Sequence, residues 1–427
     1  MKRFFSILGV FLLLFMTGCR TEGADNESQQ GGSAKKTTLT VASSFAGEDS
    51  QTETYRLLIR NYEGSAGHTV ENNSLAPTEE WQSQIRGSFR SGSEPDVLYF
   101  YTGSEAEEFV KLQKVVPLEV IREEYPDYGK TVSQAAYEQT RSPSDNKNYA
   151  VPVVGDWEGM YVNKELFETE KLSFPQTWNQ LLTVCQTFKD KGITPVSLSL
   201  SEDPLYWAEH LVFNYTGYEK HTVLPEALED LAPSYEKGIN DFKILYDKGF
   251  LPENTASLSK KQAIALFNEK KAAMFMGGHQ DIKDITDKDN VEVIPFPVKE
   301  GEARENGHMI GGFSMGFYIT KKAWDDPDKR KAAADFVTAM SSQSALAMFS
   351  KGGAATPASS SESVTGSYLE KSATAVTLTA KKWTHSVRNG IKETTRNQYV
   401  KDLANAVTGK NDMTVPKAVE NLVKGNK

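Results

Sequence analysis

The chain has 427 residues, of which 39% are hydrophobic and 25% are charged, and its formal net charge is −9. That length is enough for two domains of about 100–200 residues each. An acidic protein is repelled by nucleic acid and by anionic lipid surfaces, so neither is expected as a partner.

The first residues are typical of an export signal. Lys2 and Arg3 precede an almost unbroken apolar run over residues 4–16, and two small residues then precede Cys19. The run is short for a membrane-spanning helix, which needs about 20 apolar residues. Residues 16–19, Met-Thr-Gly-Cys, resemble the bacterial lipobox, whose cysteine is lipidated and becomes the mature N-terminus. The resemblance predicts a lipoprotein signal peptide over 1–18; a plain signal peptide and an N-terminal membrane anchor are the alternatives.

Residues 19–36 are predicted to be a flexible tether, because after Cys19 they contain no large apolar side chain that could be buried in a core. Removing residues 1–18 takes away two basic residues and no acidic one, which changes the net charge from −9 to −11. Lipidation of Cys19 would leave Cys185 as the one thiol and exclude an intramolecular disulfide. The helical spacing of Cys185 with Leu181 and Phe188 predicts a buried, unreactive side chain.

The first folded block alternates strands and helices. Apolar residues recur at helical spacing after the first strand, and Gly92 is placed to end the second helix. The predicted elements are strands over 37–44, 67–74 and 94–101 and helices over 52–63, 78–92 and 104–115. This order implies a mostly parallel sheet with helices on its faces.

A crossover near Val151–Gly155 separates this block from a second one, since Pro152 disfavours helix in the residue before it. Thr177 is the expected N-cap of the first helix in the second block. The predicted helices there are 177–192, 205–215, 235–250, 329–340, 344–353, 379–395 and 399–409, with strands over 193–200, 291–297 and 311–320 and a helix that runs into a strand over 260–278.

Five stretches in this order resemble the carbohydrate-binding group of the extracellular solute-binding proteins of ABC importers. The stretches are SGSEPDVLYF (91–100), YAVPVVGDWEGMYVNKELF (149–167), FPQTWNQLL with KDKGITPV (174–182 and 189–196), FNEKKAAMFMGG (267–278), and MIGGFSMGFYITKKA with KRKAAADFVTAMSS (309–323 and 329–342). The resemblance extends from Leu39 to the C-terminus. Each stretch alone is a weak signal, and their order along the chain is the strong one.

The resemblance implies an α/β, two-lobed periplasmic-binding-protein-like fold with a ligand cleft between the lobes. It assigns residues 37–150 and 276–312 to the first lobe and residues 151–275 and 313–427 to the second. The implied function is a lipid-anchored receptor that binds a carbohydrate, an oligosaccharide, and delivers it to ABC permease subunits. Such a protein is expected to be a monomer without enzymatic activity, metal or cofactor, and to meet the membrane only through its lipid.

A sugar site needs aromatic rings for the flat faces of the sugar and polar groups for its hydroxyls. Candidates at predicted strand ends or in the crossover are Ser44, Glu48, Tyr101, Asp156, Trp157, Trp207, His279, Gln280, Ser314 and Trp383. Trp157 is predicted to stack on a sugar ring and Asp156 to accept its hydroxyl hydrogens, because an acid and an indole beside a Val-Pro-Val-Val run are poorly placed for a core. Trp207, with Tyr206 beside it, occupies the place of a sugar-stacking aromatic in maltose-binding protein, a member of the group. His279 stands near the place of a tryptophan that is common in the family, which favours hydrogen bonding there.

Two other functions remain open. Residues 312–316 fit the Gly-x-Ser-x-Gly nucleophile elbow of serine hydrolases, with Ser314 as nucleophile and His385 later in the chain. That elbow requires a helix directly after the serine, whereas residues 317–320 are predicted to be strand. The same fold could also bind a polar solute that is not a sugar. The scattered histidines do not have the spacing of a metal site.

Overall fold

The computed structural model describes residues 36–221, 227–358, 366–387 and 391–427. The predicted signal peptide, Cys19 and the tether up to residue 35 lie outside the described residues.

Ten strands occur in the described part of the chain. They are β1 (Thr38–Ala42), β2 (Thr69–Asn72), β3 (Val97–Tyr101), β4 (Asp156–Asn163), β5 (Thr194–Ser197), β6 (Ala272–Gly278), β7 (Val291–Ile294), β8 (His308–Gly312), β9 (Met315–Ile319) and β10 (Lys382–Thr384).

Sixteen α-helices accompany them in the same residues. They are α1 (Ser50–Ala66), α2 (Glu79–Ser91), α3 (Glu107–Lys111), α4 (Leu118–Glu124), α5 (Gln134–Gln139), α6 (Lys164–Thr169), α7 (Trp178–Asp190), α8 (Leu205–His221), α9 (Ala232–Asp247), α10 (Lys260–Asn268), α11 (Lys321–Asp325), α12 (Pro327–Met340), α13 (Gln343–Phe349), α14 (Tyr368–Leu378), α15 (Glu393–Thr408) and α16 (Val415–Asn426). Short 3₁₀ helices cover Gly103–Ala106 and His279–Asp284.

The first sheet has the order β2-β1-β3-β9. Strand β1 pairs in parallel with β2 and β3, as the β-α-β order predicts, whereas β9 arrives from far along the chain and pairs antiparallel with β3. Asp96, of the Pro-Asp-Val stretch, fixes this sheet from a fully buried position. Its carboxylate accepts hydrogen bonds from the Thr40 amide at 2.8 Å and from the Lys329 ammonium at 2.8 Å. The motif therefore joins two strands to helix α12.

The second sheet has the order β10-β8-β4-β6-β5, and β7 also pairs with β4. Strand β4 is antiparallel to β6, β7 and β8. One face packs under α7, α8 and α9 in a core that includes Trp207 and Cys185. The other face shares a core with the first sheet and includes Trp157 and Tyr161.

Local capping explains several helix boundaries that the sequence predicts. Thr177 caps α7 in a reciprocal pair with Gln180, in which each side chain accepts a hydrogen bond from the other residue's amide. Gly92 ends α2 at φ 77°, a left-handed conformation that glycine adopts without strain.

The chain passes between the sheets at short extended segments. Val151 bridges to Phe317 of the first sheet, and Gly155 bridges to Ala355. Residues 313 and 314 connect β8 of the second sheet to β9 of the first. Gly311 has φ 129°, and a Cβ placed there would lie 2.5 Å from the Asp156 carbonyl oxygen. A glycine is therefore needed where these backbones approach each other.

The strand pairing differs from the expected assignment of the late segments. Segment 276–312 was expected in the first lobe, but its strands β7 and β8 pair with β4 in the second sheet. Segment 313–427 was expected in the second lobe, but it opens with β9 in the first sheet. The predicted helix over 379–395 is also wrong at residues 382–384, which form β10 and pair with β8. These pairings join residues far apart in sequence, which local patterns do not specify.

Cys185 is fully buried in α7, as predicted, and burial raises the pKa of its thiol well above the ordinary value. In a Cys19→Ser variant, which has this one thiol, we expect almost no reaction with a thiol reagent at about pH 8 until urea unfolds the protein. Gln186→Cys in the same background adds an exposed neighbouring thiol that should react at once. Equal reaction rates of the two thiols in folded protein would contradict the burial of Cys185.

Candidate functional site

Strand ends from both sheets carry the predicted polar residues. In the second sheet the first residues of β4 lie beside the last residues of β6 and β8, with Glu158 opposite Gly278 and Asp156 opposite Gly312. In the first sheet Tyr101, the last residue of β3, lies opposite Met315, the first residue of β9. The strand order thus brings Asp156 and His279 to one edge of the second sheet and Tyr101 and Ser314 to one edge of the first.

Asp156 links the two edges. Its side chain is 70% exposed, and one carboxylate oxygen lies 3.1 Å from His279 Nδ1. Partial burial raises the pKa of the Tyr101 phenol, and the negative charges of Glu105 and Asp156 raise it further. Asp156 is therefore close enough to act on a side chain of the other sheet while it remains open to solvent. An exposed carboxylate in this place can accept hydrogen bonds from a ligand between the sheets.

The remaining predicted polar residues of the first sheet lie around the same strand ends. Ser44 is half-buried, and its hydroxyl contacts the Met315 sulfur at 3.8 Å. Glu48 is exposed in the segment between β1 and α1. Ser314 is half-buried, and its carbonyl oxygen accepts a hydrogen bond from the Thr102 amide at 2.9 Å.

Gln280 and Tyr206 form a second contact at the edge of the second sheet. Gln280 follows His279 in the 3₁₀ helix after β6, is exposed, and donates a hydrogen bond from its amide to the Tyr206 hydroxyl. Tyr206 lies in the first turn of α8 and is 6% exposed. The contact holds the exposed amide of Gln280 next to His279 in the chain, which suits a ligand rich in hydroxyl groups.

The three tryptophans that the sequence suggests as ligand contacts are buried. Their rings were expected at the surface, and the structure does not place them there. Trp157 is 1% exposed, and its indole nitrogen donates a hydrogen bond to the Gly353 carbonyl oxygen. Trp207 is fully buried between Phe242 and Phe296. Trp383 is 6% exposed, lies on β10 instead of a helix, and packs edge-on against Phe313.

Strand alternation explains why Trp157 is buried while Asp156 is exposed. Asp156 and Trp157 are neighbours in β4, and successive side chains of a strand point to opposite faces. Only one of the two can face the solvent, and that residue is Asp156. The sequence had favoured both as ligand contacts because it placed them in an extended crossover instead of a paired strand.

Ser314 does not lie in a nucleophile elbow. Strand β9 begins at the next residue, Met315, and the following helix α11 begins only at Lys321. An elbow needs the serine at a sharp turn from a strand directly into a helix, whose amino end helps to form the oxyanion hole. The serine instead joins one strand to another between the sheets.

The described residues contain no group of three or more His, Cys, Asp or Glu side chains that could hold a metal ion. Within those same ranges, no helix is long and apolar enough to cross a bilayer.

Sequence reasoning missed three charged residues behind the Gln280–Tyr206 contact: Asp203, Lys260 and Asp281. They come from three separate loops or helix ends and contact one another in the structure. The polar residues 201–203, directly after the strand predicted over 193–200, were the one signal that could have pointed to them.

Comparisons with known proteins agree with this architecture. The bacterial extracellular solute-binding protein family matches residues 48–347 of the chain. The melibiose/raffinose/stachyose-binding protein MelE of Bacillus subtilis is 23% identical over 367 residues, which are 80% of this chain and 77% of MelE.

Solved structures show the same two-lobed fold. The bacterial solute receptor AcbH, described as preferring β-D-galactopyranose, aligns with a TM-score of 0.77 at 16% identity over 91% of this chain and 97% of its own. RafE of Streptococcus pneumoniae in its apo form aligns with a TM-score of 0.71 at 18% identity, over 93% of this chain and 98% of the RafE chain. RafE bound to raffinose aligns with a TM-score of 0.64 at 19% identity, over 91% of this chain and 98% of the RafE chain.

Proposed function

Because the chain belongs to the bacterial extracellular solute-binding protein family, we propose that it is a lipid-anchored receptor that binds an oligosaccharide and delivers it to an ABC permease. The observation that carries the proposal is Asp156, a 70% exposed carboxylate at the start of β4, where β6 and β8 end, with one oxygen 3.1 Å from His279 Nδ1. The proposed ligand contacts are the accessible or half-buried residues of these edges: Ser44, Glu48, Tyr101, Asp156, His279, Gln280 and Ser314.

A galactose-containing oligosaccharide is the proposed ligand class. MelE is named for melibiose, raffinose and stachyose, and each of these sugars contains galactose. Isothermal titration calorimetry with raffinose, stachyose, melibiose, galactose and maltose tests this choice. Saturable binding of the galactose-containing sugars with no product formed supports a receptor. Binding of none of these sugars would favour a non-sugar solute, and turnover that Ser314→Ala abolishes would favour the hydrolase.

Lobe motion is part of the proposal. The lobes follow the two sheets and are joined at the short segments near residues 151–155 and 313–314, and hinge closure around a ligand is typical of such a fold. The radius of gyration from small-angle X-ray scattering should therefore fall when a saturating sugar is added.

Asp156→Asn should weaken sugar binding by roughly tenfold to a hundredfold. A hydrogen bond to a charged group is worth about 1.5–3 kcal/mol, and each tenfold in affinity is about 1.4 kcal/mol. Calorimetry with the best sugar from the screen measures the loss. The melting temperature without ligand should change little, because the side chain is 70% exposed.

Asp127→Asn is the matched control for this substitution. Its side chain is 82% exposed and pairs with Lys130 in a turn between α4 and α5. It should leave sugar affinity unchanged. An Asp156→Asn protein that binds sugar as tightly as the unaltered protein would remove Asp156 from the site.

Cys19→Ser should release the protein from the membrane fraction. The proposed lipid is attached through the Cys19 thiol, and the serine hydroxyl does not replace it. Fractionation of cells that express each form measures the shift, and mass spectrometry of the membrane-extracted protein should find an acylated Cys19. Retention of the serine variant in the membrane would instead indicate an uncleaved N-terminal anchor.

A further inference from the structure

Lys260 joins two loops at the edge of the second sheet. It is the first residue of α10, and its ammonium lies 2.9 Å from an Asp203 carboxylate oxygen and 2.8 Å from an Asp281 carboxylate oxygen. Asp203 belongs to the loop after β5, and Asp281 to the 3₁₀ helix after β6. One cation therefore ties together the two segments that carry Tyr206 and Gln280.

The same ammonium also contacts Tyr206 directly. It lies 5.3 Å from the centre of the Tyr206 ring, within the range of a cation–π interaction. The Tyr206 hydroxyl accepts the hydrogen bond from Gln280. The ring of Tyr206 is thus held from its face by Lys260 and at its hydroxyl by the proposed ligand residue Gln280.

Asp281 makes the cation necessary. It is 3% exposed, and its second carboxylate oxygen accepts a hydrogen bond from the Gly278 amide at 3.0 Å. A buried carboxylate without a nearby opposite charge is strongly unfavourable. Burial lowers the pKa of Lys260, but Asp203 and Asp281 together raise it above its ordinary value, so the side chain remains an ammonium ion.

We infer that Lys260 is a positioning residue for the ligand site, acting through Tyr206 and through the segment 278–281 that carries His279 and Gln280. Without its charge, Asp281 turns toward water and draws the 3₁₀ helix away from the end of β6. Gln280 then loses its partner on Tyr206, and the edge no longer presents a fixed pair to the ligand. The consequence for ligand affinity rests on the proposed function, whereas the consequence for the local structure does not.

The test compares Lys260→Met, which keeps the length of the side chain and removes its charge, with Lys260→Arg, which keeps the charge. Lys261→Met is the matched control, because Lys261 is the exposed neighbour on the same helix. In ligand-free protein, amide hydrogen exchange in residues 277–284 should become about tenfold faster or more in Lys260→Met. It should stay at the original rate in the other two variants, and exchange in β1 and β3 should not change in any of them.

Sugar affinity supplies the second readout. Lys260→Met should weaken sugar binding by about tenfold, whereas Lys260→Arg should keep most of the affinity of the unaltered protein. In a Gln280→Ala background the further loss from Lys260→Met should be much smaller, because both changes act on the same contact.

Unchanged exchange in residues 277–284 would overturn the inference, whatever the affinities. Faster exchange with fully additive affinity losses would also overturn it, since Lys260 would then not act through Gln280. If the unaltered protein binds no sugar, the proposed function and the ligand consequence fail together, and the exchange rates alone decide whether Lys260 positions the segment.

Discussion

Trp157→Ala is expected to lower the free energy of unfolding by about 3–5 kcal/mol, the usual cost of truncating a large core aromatic. The indole is 1% exposed and lies 5.8 Å, between ring centres, from Tyr161 four residues along β4. It also donates a hydrogen bond to the Gly353 carbonyl oxygen, 196 residues away in sequence. The substitution removes the packing and leaves that carbonyl without its donor. Urea denaturation followed by circular dichroism measures the loss.

Trp157→Phe separates the two contributions. Phenylalanine keeps most of the apolar area and removes the indole donor, so the expected loss is only about 1–3 kcal/mol. Sugar affinity of the folded fraction should change less than in Asp156→Asn, because Trp157 has no accessible ring face. If Trp157→Ala left the stability nearly unchanged and greatly weakened sugar binding, the indole would be a ligand contact and not a core residue.

The local elements of this fold are largely predictable from the sequence. The helices with clear apolar spacing and caps, such as α2 with Gly92 and α7 with Thr177, occur close to where the pattern places them. The parallel pairing of β1 with β3 follows from the strand-helix-strand order. These features depend on interactions within a few turns or on a topology rule that holds for most proteins.

The return of the chain to the first sheet is not predictable in this way. Strand β9 pairs with β3 across more than two hundred residues, and its pattern does not differ from that of a strand in the second sheet. Residues 382–384 have helix-compatible neighbours, and their strand conformation depends on pairing with β8. In each case the tertiary partner determines the structure.

In the candidate site, too, some features follow from the local sequence and others depend on tertiary contacts. Sequence placed His279 and Gln280 after a strand end and Asp156 in the crossover, and the structure brings them to one edge because β4 begins where β6 and β8 end. Burial could not be predicted from residue type alone. Asp156 is exposed while Glu158, two residues along the same strand face, is 4% exposed and inside the core.

That buried Glu158 belongs to a charged network under α8. One of its carboxylate oxygens lies 3.4 Å from His210 Nε2, and the other ring nitrogen of His210 lies 3.2 Å from the Arg304 guanidinium. Arg304 is 4% exposed and also donates two hydrogen bonds to the His308 carbonyl oxygen. Burial lowers the pKa of Arg304 to about 9, and the negative charge of Glu158 opposes that effect. The carboxylate therefore compensates a guanidinium that is otherwise costly to bury.

Glu158→Gln should consequently destabilise the protein by about 3–5 kcal/mol, because it keeps the shape of the side chain and leaves the buried guanidinium without its counter-charge. Glu119→Gln is the control: Glu119 pairs with Lys147 at 2.9 Å on the surface, each side chain is 49% exposed, and the expected loss is at most about 1 kcal/mol. Adding Arg304→Met to Glu158→Gln should cost much less than the sum of the two single changes, since the uncompensated charge is then absent. Strict additivity in urea denaturation would mean that Glu158 and Arg304 do not interact through His210.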